Sequence, residues 1–454
     1  MCKMTVSEEL AAFIVNTGFS QLPAGTVSLA KERALDIAGA CLAGSRGWDY
    51  SKELVRGLRS LGPGEVSVFG CKERLSCHGA AMVNAAYGHA LELDDGHTNA
   101  GVHAGAVVVP TALAVGQTIR ASGQDVLVSI VLGYDIVYRL ARSLNPAQIK
   151  KGFHPSATCG VFGAAAAAAK LLGLDRQKTA HALGLAAMQA AGLMEATLSG
   201  QGAKCVMVGH ASLAGIVAAQ LAREGLPGPS TALEGKYGFF NTMSENVAKD
   251  DVLKDLGKRY EIADTYVKLY PTCRHIHPAI ECILSLQEEY GFSHEDVAKI
   301  VVGTHEVAVE LTGHIYVPAN GAEARFSLPY ILAVVLREGT IGTRHLGSGY
   351  LSDQAIKKTA QLVEVKLDEE VNRAFPAQRG ARVEVILRDG RVLEKNTYIL
   401  KGSPDQPVGW GEIYSKYMEC AEDIVDQSNA ASFAAAVSDL ERQNDIDEIM
   451  SYLN

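Results

Sequence analysis

The sequence is poor in aromatic residues and in positive charge, and it lacks any Cys-x-x-Cys pair. Phe, Trp and Tyr make up only 6% of the 454 residues, and Lys plus Arg number 42 against 51 Asp plus Glu. The formal charge of −9 excludes the basic surface that non-specific binding to nucleic acid or to anionic membranes requires. It leaves an anionic substrate open, because the local field of a pocket can oppose the global one. The nine cysteines are odd in number and scattered, which fits free thiols in a reducing cytoplasm better than a disulfide framework. No charge-free apolar run reaches the roughly 18 residues of a membrane span. Met1 to Phe13 contains Lys3, Glu8 and Glu9 and no apolar core of a secretory leader.

Ala and Gly are abundant, and hydrophobic residues reach 48% with 20% charged, the balance of a globular protein with a large interior. Small side chains let helices approach closely. The chain length implies about two or three domains.

The first half reads as helix after helix. Thr26 to Gly44 carries Leu29, Ala34, Ile37, Ala38, Cys41 and Leu42 on a helical face. A second helix is expected from Cys77 to about Leu93, and a third with Pro110 in its first turn, running to Arg120. Asp125 is placed to cap Val126–Leu140, Ser156 to cap Ala157–Leu172, and Asp175 to open another helix. Gly209–Arg223 follows, closed by Gly225-Leu-Pro-Gly-Pro229. After about Asp264 the pattern changes. Lys299–Val309 is rich in β-branched residues, and Arg382–Leu387, the turn Arg388-Asp389-Gly390 and Arg391–Leu400 form a hairpin signature. Helical patterns at His277–Glu289 and Phe326–Arg337 lie between. The expected architecture is a mainly α protein: a large all-helical domain over residues 1–264, with 403–454 packing back on it, and a smaller α+β domain over 265–402.

Five segments hold groups suited to chemistry. His89-Ala-Leu-Glu92-Leu-Asp94-Asp95-Gly-His97, followed by His103, gathers three carboxylates and three histidines near a helix end. A carboxylate beside an imidazole fixes its tautomer and raises its basicity, which suits proton transfer near neutral pH. The alternative is a helix C-terminus with solvated acids, at a cost against the helix dipole. His154, in Lys151-Gly-Phe-His154-Pro-Ser156, stands before an Ala-rich helix whose N-terminus is a natural anion site, or it is an exposed residue of a capping turn. Ser199-Gly-Gln-Gly-Ala-Lys204 lacks the spacing of a phosphate-binding loop; it delivers one lysine near a helix start, unless Lys204 is an ordinary surface group. In Lys268-Leu-Tyr-Pro-Thr-Cys273-Arg274-His275-Ile-His277, the Cys-x-His-x-His run raises a metal, yet the spacing is too tight to converge and no second ligand cluster completes it. The other reading is a cationic clamp for substrate carboxylates: Lys268, Arg274 and a histidine, His275 or His277. Last, Glu323-Ala-Arg325-Phe-Ser-Leu-Pro-Tyr330 offers Arg325 to an anion and Tyr330 as a proton donor, or is the start of a packed helix.

These segments, in this order, resemble the MmgE/PrpD family from about residue 5 to 450. The carrying stretches are HALELDDGH…VHAG, KGFHPSATCGVFGAAAAAAKLLGL, the glycine-rich loop ending in Lys204, KLYPTCRHIHPAI and ARFSLPY. The resemblance implies a helical domain built from both chain ends with an α+β domain inserted near the C-terminus, a homodimer, and neither metal nor other cofactor. It implies active-site roles for His103, His154 and Lys204, with Lys268, His277 and Tyr330 on or near matching positions. The sequence departs from the family pattern at Glu92, where an aspartate is usual, at Gly96, where decarboxylase-like members carry threonine, and at Ala104, Cys205 and Met207.

The chemistry expected is proton abstraction next to a carboxylate. One of His103 and His154 takes the proton, and Lys204 with Arg274 or Lys268 stabilises the enolate-like charge. The other histidine, or Tyr330, protonates a leaving hydroxyl; Glu92 or Asp94 orients His103 or His97. A hydro-lyase on a small hydroxy di- or tricarboxylate is the leading reading. An epimerase or decarboxylase on the same scaffold, a non-catalytic organic-acid binding protein and, last, a zinc hydrolase are the alternatives.

Overall fold

The computed structural model of the protein describes residues 4–198 and 202–453. It forms two compact units, one drawn from Met1–Ala90, Asp94–Val267 and Gly409–Asn454, the other from Leu91–Leu93 and Lys268–Val408. The first is predominantly helical and the second is built on a β-sheet, as the change of sequence pattern predicts.

In the first unit the principal helices are α1 (Ala24–Gly47), α2 (Cys77–Ala90), α3 (Gly105–Ile119), α4 (Gly123–Leu144), α5 (Gly160–Leu171) and α6 (Lys204–Arg223). α6 packs between α2 and α5, α4 lies on α5, and α1 on α2. The scarcity of aromatics has its counterpart here, because small residues let the backbones touch. A Cβ at Gly209 would stand 2.5 Å from the carbonyl oxygen of Met82 in α2, and one at Gly215 would stand 2.4 Å from Cβ of Ala164 in α5. By length and composition α6 could cross a membrane, but it is a core helix of this unit, with 61% of its apolar window buried. The C-terminal helices Trp410–Ala421 and Gln427–Ser438 pack on α1, where Lys416 Nζ meets Asp36 Oδ1 at 2.6 Å. A two-residue ladder, β1 (Gly96–His97) with β2 (Thr265–Tyr266), closes the unit near the histidines.

Several helix starts differ from expectation. α3 begins at Gly105, so Pro110 lies in its interior, where it removes one rung of the hydrogen-bond ladder. α4 is capped by Ser122, whose Oγ accepts from the Asp125 N–H, not by Asp125. α6 begins at Lys204, five residues before the expected Gly209.

The second unit has a four-stranded sheet of β3 (Val297–Thr304), β4 (Val363–Leu367), β5 (Ala381–Leu387) and β6 (Val392–Thr397), in the order β4-β3-β5-β6. β3 runs parallel to β4 and antiparallel to β5. The β5–β6 pair is the expected hairpin, with Gly390 at φ 90° in the turn. Along β5, Ala381, Val383, Val385 and Leu387 alternate inward onto α7 (His277–Tyr290), which packs beside α8 (Leu328–Glu338). β3 ends at Thr304 instead of running to Val309, because the His305 side chain caps a following helix, Glu306–Thr312.

Candidate active site

Three histidines of the helical unit stand together. The rings of His89 and His103 lie 5.2 Å apart and those of His89 and His154 5.6 Å apart, both edge to face. Asp94 links two of them: its Oδ2 is 2.6 Å from His89 Nδ1 and 3.5 Å from His103 Nδ1. His89 and Asp94 are wholly buried, whereas the His103 side chain is 17% exposed, making it the more accessible imidazole of this pair.

The tautomer of His103 follows from one contact. Its Nδ1 lies 2.5 Å from the Asp95 carbonyl oxygen, which can only accept, so Nδ1 carries the hydrogen and Nε2 the basic lone pair. Asp95 is fixed by its own side chain. Oδ1 accepts the Gly105 N–H at 3.0 Å and Oδ2 accepts the Tyr134 hydroxyl at 2.5 Å. Burial raises the Asp95 carboxyl to about 7, opposed by the hydrogen bond from Tyr134. Gly105 is required here, since a Cβ would fall 2.3 Å from Tyr134 Oη and 2.6 Å from Asp95 Oδ1. The His103 N–H donates to Ser156 Oγ at 3.0 Å, which ties the first histidine segment to the second.

His154 is held by its backbone. It caps a single turn, Pro155–Thr158, that precedes α5, and its N–H donates to the Gly192 carbonyl at 3.1 Å. Gly192 has φ 151°, and a Cβ there would stand 2.7 Å from Ala157 Cβ. The helix expected over Ala157–Leu172 with Ser156 as its cap is interrupted at Cys159, between the turn Pro155–Thr158 and the helix Gly160–Leu171. Ser156 holds His103, and the long helix starts at Gly160. Lys204 is half-buried at the first position of α6, with Gly202 anchored by Trp48 Nε1 at 2.9 Å. Ser199, Gly200 and Gln201 of the expected glycine-rich loop lie outside the described residues.

His97 belongs to a different group. Its Nδ1 accepts the Ala100 N–H at 3.2 Å, and its Nε2 is 3.9 Å from both Glu261 Oε2 and Asp264 Oδ2. These carboxylates are neutralised by arginines: Arg142 reaches Glu261 at 2.7 Å, and Arg259 pairs with Asp264. The structure places the predicted substrate group His97 in this charge network, not with His103 and His154.

The acid, base and ligand types of both clusters also suit a metal ion, since one donor atom from each of His89, Asp94 and His103, or of His97, Glu261 and Asp264, lies within 4.8 Å of the others. In the first set His103 Nδ1 carries a hydrogen given to the Asp95 carbonyl and offers no lone pair there, and in the second set the carboxylates are already paired with arginine.

In the second unit Lys268 Nζ meets Glu92 Oε2 at 3.0 Å, with the lysine 1% and the carboxylate 9% exposed. Glu92 was expected to orient a histidine; it pairs with Lys268 instead, from a backbone at φ 56° that L-residues rarely adopt. Arg274 Nη1 donates to His277 Nδ1 at 3.0 Å, and its Nη2 to Ser403 Oγ at 3.0 Å. His277 opens α7 with Tyr270 stacked edge-on at 5.1 Å. Glu281 beside them is raised to about 7 by burial, against the charge of Arg274.

Two predicted groups are corrected. His275 Nδ1 lies 3.1 Å from His305 Nε2, and burial, then Arg379 and His305, hold His275 well below its ordinary value. An uncharged imidazole is no cationic clamp for a carboxylate. Tyr330 is fully buried and gives its hydroxyl hydrogen to the His345 carbonyl at 2.7 Å; burial raises it further, so it is a core residue and not a proton donor. Arg325 is buried behind the turn Gly321–Ala324, and its carbonyl accepts the Cys273 N–H at 2.9 Å. His275 and His277 thus face different partners, and the Cys-x-His-x-His spacing does not gather them.

The sequence pattern gave no site role to Ser156 or Gly192, and it counted Asp95 and His89 among the acids and bases of the first segment without assigning either a task. For Asp95 and His89 the signal was present in the motif itself; for Gly192 there was none.

Residues 8–250 match the family model described as the MmgE/PrpD N-terminal domain, and residues 270–442 match the MmgE/PrpD C-terminal domain. The chain is similar along its length to a cis-aconitate decarboxylase-like protein, oryM, of Aspergillus oryzae, with 27% identity over 99% of this chain and 97% of that protein. Cis-aconitate decarboxylase of Aspergillus terreus is 26% identical over 100% of this chain and 96% of its own. The human cis-aconitate decarboxylase is 25% identical, with 100% and 95% covered.

Proposed function

The chain belongs to the MmgE/PrpD family, and from that premise we propose that it is a hydro-lyase acting on a small hydroxy di- or tricarboxylate. As a family member it is an enzyme of the lyase, isomerase or decarboxylase kind that works on a carboxylate substrate.

The observation that carries the narrower reading is the tautomer of His103. The Asp95 carbonyl holds its Nδ1 hydrogen, which leaves Nε2 as a base. Elimination of water needs a base for the hydrogen on the carbon beside the carboxylate and an acid for the departing hydroxyl. In this reading His103 Nε2 takes the hydrogen, and the C–H electrons pass into the carboxylate as an enolate. They then form the double bond as the β-hydroxyl leaves, protonated by His154. Lys204, half-buried at the first position of α6, is the cationic candidate for a substrate carboxylate.

Decarboxylation is the second reading, favoured by the names of the similar curated proteins. It needs a proton donor to carbon but no base. Incubating the purified protein with hydroxy and unsaturated di- and tricarboxylates, with products identified by NMR, separates the two. Loss of water supports the first reading, and loss of CO2 supports the second. His154→Ala is expected to lose turnover by about a hundredfold or more while remaining folded; near-full activity removes the acid role. A homodimer in a reducing cytoplasm completes the proposal, and light scattering tests the dimer.

A further inference from the structure

We infer that His89 is a positioning residue for the base: by holding Asp94 it sets how strongly that carboxylate acts on His103. The inference rests on the reading of His103 as the base.

His89 sits in the last turn of α2, and its side chain is wholly enclosed. Its Nδ1 donates to Asp94 Oδ2 at 2.6 Å, which leaves Nε2 with the lone pair. Nε2 is buried and has no hydrogen-bond partner among the described residues. An orphaned buried nitrogen costs stability, and the ring that bears this cost is the group that holds Asp94.

The same oxygen, Asp94 Oδ2, is 3.5 Å from His103 Nδ1. His103 spends its Nδ1 hydrogen on the Asp95 carbonyl, so its interaction with Asp94 is electrostatic, whereas that of His89 is a short charge-assisted bond. One carboxylate oxygen therefore serves two imidazoles, and His89 draws the larger part of its charge. Other titratable groups surround this turn: Asp95 acts on Asp94 and is itself influenced by Tyr134 and by Arg33 and Asp36 of α1, and Tyr266 faces His103 at 6.5 Å between ring centres. His154 faces His89 at 5.6 Å between ring centres. From α1 comes Cys41, whose thiol is pushed far up by burial and then by Asp94, and so stays uncharged. α3 carries no titratable side chain.

If the His89 hydrogen bond is lost, the Asp94 charge turns on His103 and favours its imidazolium, which cannot act as a base. Two substitutions separate the hydrogen bond from the ring. His89→Asn places an amide N–H where Nδ1 stood and keeps the bond to Asp94. His89→Gln places its amide at the Nε2 position and loses that bond.

The test is an NMR titration of His103 in histidine-labelled protein without substrate, its signal assigned with His103→Gln, alongside kcat/KM against pH and a melting curve for each variant. In His89→Gln the His103 titration and the acid limb of kcat/KM should both move up by about one pH unit, the scale of a nearby unscreened carboxylate. In His89→Asn both should stay where they are in the wild type. A His103 titration that does not move in folded His89→Gln, or that moves equally in both variants, overturns the role of His89. Failure of the functional reading looks different: His103→Gln would keep turnover while the NMR titration of His103 still moved in His89→Gln.

Discussion

Tyr134 gives its hydroxyl hydrogen to Asp95 across 2.5 Å, and the carbonyl of Asp95 in turn takes the Nδ1 hydrogen of His103. The side chain of Asp95 thus fixes the direction of its own backbone oxygen, and that oxygen fixes the imidazole. What is needed from Asp95 is shape, not charge. Asp95→Asn keeps an acceptor for Gly105 and a partner for Tyr134, so kcat should fall no more than about threefold, whereas Asp95→Ala should fall about tenfold or more. Steady-state kinetics of the two variants check this, and equal losses would show that the charge matters.

The pair Glu92–Lys268 is buried, so removing one partner leaves the other charge stranded. Lys268→Met should destabilise the protein by about 3–5 kcal/mol, and adding Glu92→Leu should recover most of that loss. Denaturant melts of the single and double variants measure it. Glu92→Asp is a sharper probe, because the shorter side chain withdraws the carboxylate from a 3.0 Å contact. A Glu92→Asp protein as stable as the wild type would mean that this contact contributes little.

A pH effect on stability follows from His275 and His305. Burial first, then Arg379, holds both below the ordinary histidine value of 6.5, with His305 lowered to about 4. The unfolded chain takes up these protons near its ordinary value and the folded one resists them. The stabilisation is complete above the unfolded value of 6.5 and is lost as pH falls toward about 4. Thermal melts between those limits should show Tm dropping faster in the wild type than in a His275→Gln, His305→Asn double variant. Parallel slopes would contradict the assignment.

At Gly96 the space that a side chain would take is filled by Tyr266. A Cβ at 96 would fall 2.4 Å from Tyr266 Oη and 2.6 Å from its ring carbon. Gly96→Thr should therefore destabilise by about 1–3 kcal/mol, through overpacking, and Tyr266→Ala in the same chain should relieve it. Melting temperatures of the three proteins decide; a harmless Gly96→Thr would show that the Tyr266 ring moves freely.

Much of each unit was readable because its signals are local. The apolar face of α1, the Asp175 cap and the Gly390 turn each lie within a few residues of what they determine. His103 and His154 were readable as motif members. Their supports were not, because each depends on pairing across the chain. Ser156 meets His103 over 53 residues, Tyr134 meets Asp95 over 39, and Lys268 meets Glu92 over 176. Spacing that suggests a common face says nothing about which distant element will cover it. For this reason Tyr330, which suits a proton donor by type, is a core hydrogen-bond donor in the fold.

Proton abstraction by His103 is tested most directly by solvent exchange. With a bound carboxylate in heavy water, wild-type protein should replace the hydrogen on the carbon next to the carboxylate with deuterium, followed by NMR. His103→Gln, folded by its melting curve, should exchange it slower by about a hundredfold or more. Exchange at the wild-type rate in His103→Gln, or turnover in the wild type with no deuterium entering at that carbon, would contradict the mechanism.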